Sequence, residues 1–83
     1  PQERRAIWEA HLGTEHGLTV QQVNTLAGSS NLAGGHVRNA VFAAAVHSRE
    51  RGDLIRWDDV LRGLALEYEK LGRTLPGALR RPA

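Results

Sequence analysis

Apolar positions recur at three- and four-residue intervals along most of the chain, the period of helices that each turn one face to a shared core. The longest run, from Gly34 to about Arg51, puts Val37, Val41, Ala44, Ala45 and Ser48 on one face and Phe42 and Val46 on the adjoining one. So wide a stripe predicts a helix that is central and buried on more than one side. Three shorter runs surround it. Residues 1–12 begin with a proline, which a first helical turn tolerates, and set Ile7 with Ala10 and His11, and Trp8 with Leu12, at helical spacing before Gly13. Thr19-Val20-Gln21-Gln22 reads as a capping box, so a second helix starts at about Val20, turns Val20, Val23, Leu26 and Ala27 inward, and stops at Gly28-Ser29-Ser30-Asn31. Gly52-Asp53 forces a turn, and Leu54-Ile55-Arg56 is long enough only for an extended connector. Trp57 then opens a fourth helix, with Asp58 and Asp59 at its positive end and a candidate C-cap at Gly72. Val60, Leu61, Leu64, Ala65, Tyr68 and Leu71 form its apolar stripe, while Glu67, Glu69, Lys70 and Arg73 read as its wet side. Trp8 and Trp57 read as core or rim aromatics. The expected fold is all-α, a small four-helix bundle over residues 1–73, with a basic, Pro/Gly-containing and flexible tail over 74–83.

Composition narrows this picture more than it changes it. The 83 residues suffice for one domain with one small core. There is no cysteine, so neither a disulfide framework nor a thiolate metal site is available. No apolar run approaches the roughly 20 residues that span a bilayer, and no signal-peptide pattern opens the chain, so the expected location is the cytoplasm. A start without an initiator methionine suggests a piece of something longer. The net charge of +2 resides in the tail: residues 1–70 carry eight basic groups against nine acidic ones. A duplex-binding domain gathers basic charge on one face to displace phosphate counterions, and no such face is visible.

Candidate chemistry concentrates where the second helix hands over to the third. First-turn amides of a helix have no internal partner, and the dipole puts partial positive charge beside them, so anions are favoured. Gly34 and Gly35 remove side chains that would hold a ligand away, and His36 and Arg38 supply donors near the same end. No Gly-x-x-x-x-Gly-Lys-Ser/Thr loop, acidic strand end or placed nucleophile accompanies them, so these residues alone should hydrolyse nothing. His11 and His16 are five apart with Gly13 between, a poor zinc pair without a third ligand, and no metal is expected. A helix-turn-helix reading would put Arg38, Asn39 and Arg49 in a major groove, but their alanine-rich surroundings look like core. A purely structural bundle that binds a partner is the other alternative.

The order of the segments resembles a known family. Glu-Arg-Arg-Ala-Ile-Trp-Glu-Ala-His-Leu comes first, then a Leu-Thr-capped short helix. Leu-Ala-Gly-Gly-His-Val-Arg-Asn-Ala-Val with Ala-Ala-Ala follows. Leu-Ile-Arg-Trp-Asp-Asp-Val-Leu and Glu-Tyr-Glu-Lys-Leu-Gly-Arg close the series. Over residues 3–73 this is similar to the C-terminal helical lid subdomain of AAA+ ATPases, and most like those of phage-tail-like contractile injection systems.

The resemblance implies a nucleotide-sensing lid in a hexameric ring that couples ATP binding and hydrolysis to remodelling of a protein assembly. ATP with Mg would be held mainly by a domain absent from this chain. The partners implied are the protein's own large subdomain, neighbouring ring subunits and a protein substrate, without membrane or nucleic acid. In many members an isoleucine and a histidine on the first lid helix approach base and ribose; Ile7 and His11 stand there. Ala33-Gly34-Gly35-His36 matches the small-residue stretch that brings backbone against the nucleotide, with alanine for serine and histidine for aspartate. Where other clades carry a sensor-two arginine, this chain has His36. Arg38 follows two positions on, roughly 200° around the helix, so the two do not share a direction.

Overall fold

The computed structural model describes residues 2–80, of which Gln2 is placed by its backbone only. Four helices follow one another, α1 (Gln2–Leu12), α2 (Val20–Ser29), α3 (Gly34–Arg51) and α4 (Trp57–Lys70), with a single 3-10 turn at Gly77–Leu79. No strand occurs among the described residues, so the all-α bundle stands.

Local chemistry sets the helix ends. Thr19 and Gln22 form the reciprocal capping box, each side chain accepting the other's backbone N–H at 3.0 Å. Gly13, Gly52 and Gly72 take the left-handed conformation at φ 70°, 78° and 67°, which frees α1, α3 and α4 to stop where they do.

α1 and α2 pack antiparallel. Arg4 donates to the carbonyls of Ala27 and Ser30, Arg5 bonds Asn24, and the buried Trp8 indole N–H donates to Ser30 Oγ at 3.2 Å. α3 and α4 are also antiparallel, and closer. A Cβ placed on Gly63 would sit 3.1 Å from the Ala40 carbonyl carbon and from its Cα, so the two backbones touch. Ala40 and Ala44 are fully buried at this seam. At its far end Asp59, 2% exposed, accepts from Arg51 Nη1 and Nη2 at 2.8 and 2.7 Å and from the Arg56 backbone N–H at 3.0 Å. The hydrogen bond from Arg51, together with that backbone donor, outweighs the cost of burying the charge and holds the Asp59 carboxyl below its ordinary range.

Several sequence expectations change. Val20, expected inward, is 67% exposed, because as the first residue of α2 it precedes the turn that meets α1. Phe42 is 70% and Val46 38% exposed, so α3 is buried along Val37, Ala40, Val41, Ala44 and Ser48 and faces solvent on the opposite side. Four short helices leave nothing to cover that side. On α4, Ala65 and Leu71 are exposed while Glu67, assigned to the wet side, is buried at 3%. It lies four residues past Gly63, on the stripe that meets α3. The packed core also reaches beyond residue 73: Leu79 is fully buried, and Leu75 packs against the same cluster. Arg80 is exposed, and residues 81–83 of the expected tail lie outside the described ones, as does Pro1.

Gly63→Ala should drive a methyl group into the α3 backbone and lower unfolding free energy by about 1–3 kcal/mol in urea titration. Gly28→Ala, where a Cβ meets nothing within 4 Å, should instead raise it by about 0.5–1 kcal/mol. Acid should weaken the fold through Asp59. Folded Asp59 binds its proton less readily than the unfolded chain does, so its contribution is complete above the ordinary Asp pKa of about 3.9 and is lost as pH falls through the lowered folded value. Asp59→Asn should lower the thermal midpoint at pH 7 and flatten its decline below pH 4.

Candidate functional site

The N-terminus of α3 is open and firmly placed. Its N-cap, Ala33, has extended backbone (φ −66°, ψ 156°) and no side chain able to cap. The helix's own bonding begins with His36 N–H to Ala33 O at 3.0 Å and Val37 N–H to the same oxygen at 3.2 Å. The Gly34 and Gly35 amides therefore precede the helical ladder, and no acidic residue in the first turn offsets their positive end. A Cβ on Gly35 would meet nothing within 4 Å. At Gly34 the nearest atom would be Ile7 Cγ2, at 4.0 Å.

The loop that delivers Gly34 is fastened at consecutive residues. Ser30 is buried, accepting from Trp8 through its hydroxyl and from Arg4 through its carbonyl. The Asn31 N–H donates to Tyr68 Oη at 3.2 Å, and the Asn31 carbonyl accepts from Arg73, whose guanidinium lies 5.2 Å from the Tyr68 ring centre. α1, α4 and the segment just past α4 thus fix the approach of the chain to α3.

Of the residues singled out from sequence, the structure brings Ile7 and Gly34 together and leaves Gly35 open. The α1 side chain at Gly34 is Ile7, in mid-helix; His11, one turn on, is exposed. Arg38 is exposed as well, on a different side of α3 from His36. His36 turns toward α4, where its Nδ1 lies 2.9 Å from Glu67 Oε1.

Glu67 is the residue that sequence reading missed. Asn39 Nδ2 donates to Oε1 at 3.2 Å and Lys70 Nζ to Oε2 at 2.7 Å, so three side chains converge on this buried carboxylate. Burial pushes its pKa up, but hydrogen bonds from Lys70, His36 and Asn39 outweigh that and leave the group below the ordinary range. The available signal was its spacing: three residues after Leu64, four after Gly63 and three before Lys70.

Two surface hollows, of about 370 and 420 Å³, lie elsewhere: one on the first turns of α2, the other between those turns and α1. Neither contains Ile7, His11, Gly34, Gly35, His36 or Arg38. Among the described residues no helix is long and apolar enough to cross a membrane.

Comparison with curated proteins and with solved structures gives no match. Residues 1–74 do match a family model, described as the contractile injection system ATPase helical domain. That match runs through all four helices, including the α2–α3 handover on which the candidate site is built. The chain therefore belongs to the helical domains of contractile injection system ATPases.

Proposed function

We infer that this domain is the nucleotide-sensing lid of a hexameric, cytoplasmic AAA+ ATPase, coupling ATP binding and hydrolysis to remodelling of a protein assembly. The observation that carries the reading is the bare amide pair at Gly34-Gly35, on a helix end with no capping side chain and no acidic residue of its own in the first turn. Backbone so exposed admits a nucleotide to van der Waals range, and its unpaired N–H groups favour an anion. Ile7 gives the same edge an apolar surface suited to the flat face of a base. His11 offers a ring nitrogen one turn further along α1, and Arg38 a cation on the outer side of α3. These residues fit one side of bound ATP. The phosphate-cradling loop and the acidic groups for Mg would come from the protein's large subdomain, which supplies the hydrolytic chemistry, and ring neighbours would read the lid's position.

Gly35→Val separates this reading from a purely structural role, because in the free domain a Cβ at this position meets nothing within 4 Å. In the full-length ATPase it should raise the ATP dissociation constant or abolish turnover while leaving the domain's thermal midpoint nearly unchanged. His11→Ala should weaken binding by about 0.5–1.5 kcal/mol, the net worth of one hydrogen bond. The 83-residue chain alone should bind ATP more weakly than about 10 μM in calorimetry, corresponding to roughly −7 kcal/mol. Unchanged ATP affinity and turnover in both folded variants would remove the nucleotide role from this surface.

A further inference from the structure

An ionised carboxylate only accepts hydrogen bonds. Glu67 is buried, meets Lys70 Nζ at 2.7 Å, and is held in its ionised form by the three donors around it. The 2.9 Å contact from His36 Nδ1 must then carry its proton on Nδ1, the nitrogen that free histidine side chains protonate less often. In the neutral ring this leaves Nε2 as a bare acceptor on the side away from Glu67, on a side chain that is still 31% exposed. His36 is the third residue of α3, immediately beside the open Gly34-Gly35 amides.

We propose that Glu67 is a positioning residue that fixes the tautomer of the neutral His36 ring, which then presents Nε2 as an acceptor to an N–H or O–H donor on the nucleoside part of ATP. Phosphate oxygens are acceptors too, so the neutral ring has nothing to offer the phosphate chain. The matching donors on ATP are the ribose hydroxyls and the adenine amino group. This division of labour assigns anion contact to the glycine amides and nucleoside selection to His36. Asn39 and Lys70, bound to the same carboxylate, tie that selection to the last turns of α4. The inference rests on the reading of the α3 N-terminus as nucleotide-facing.

Glu67→Gln makes the idea testable without removing volume. Lys70, a pure donor, would draw the glutamine oxygen, turning the amide NH₂ toward His36. Nδ1 must then accept, and the proton moves to Nε2. In this chain alone, long-range ¹⁵N–¹H correlation spectra at alkaline pH should show neutral His36 protonated at Nδ1, and protonated at Nε2 in Glu67→Gln. In the full-length ATPase, His36→Ala and Glu67→Gln should each raise the ATP dissociation constant between about twofold and tenfold. One of 2′-deoxyATP, 3′-deoxyATP or inosine triphosphate should bind all three proteins alike, and whichever does identifies the donor. Melting curves confirm that each variant is folded. A wild-type His36 protonated at Nε2, or a loss equal for ATP and all three analogues, overturns the proposal. Gly35→Val keeps the two failures apart: if it still weakens ATP binding, only the role of Glu67 and His36 falls; if it does not, the nucleotide-facing reading falls with it.

Discussion

The bundle depends on the contact between the α3 and α4 backbones at Ala40 and Gly63. Helix axes ordinarily stay 8–10 Å apart because side chains intervene. Here one helix presents a glycine and the other two fully buried alanines. Along the same seam a guanidinium from the end of α3 meets Asp59, and the first turn of α3 lies within hydrogen-bond reach of Glu67. Both carboxylates would be costly to bury alone; each is tolerated because its lone pairs are met by three donor groups. The seam is therefore apolar and tight in the middle and clamped by charge at both ends.

Those clamps differ in what they can transmit. Asp59 joins α3, the connector and α4 where the chain itself already links them, so it fixes an angle between neighbours. Glu67 joins the opposite ends of the two helices, which no short loop connects. Through it the first turn of α3 is mechanically bound to the last turn of α4, and Tyr68 and Arg73 bind that same region to the α2–α3 loop. An event at the Gly34-Gly35 edge thus has a direct structural route to the C-terminal part of the domain. The solvent-facing side of α3, with Phe42 and Val46 exposed, lies outside this arrangement.

Most of the local architecture was present in the residue pattern. Helix positions, the Thr19–Gln22 capping box, the glycine stops after α1, α3 and α4, and the two buried tryptophans all depend on spacing within a dozen residues, which a sequence carries explicitly. The order of these short segments sufficed to indicate the ATPase family as well. Tertiary structure decided whatever depended on what lies opposite. A helical stripe specifies which side chains share a face, but not whether a neighbour covers it. Phe42 and Val20 therefore look like core and are wet, while Glu67 looks like surface and is buried. For the same reason His36, a free donor by its position in the chain, is engaged by a carboxylate thirty-one residues away. Burial and hydrogen-bond partnership are properties of pairs of elements, and only the packed bundle specifies the pairs.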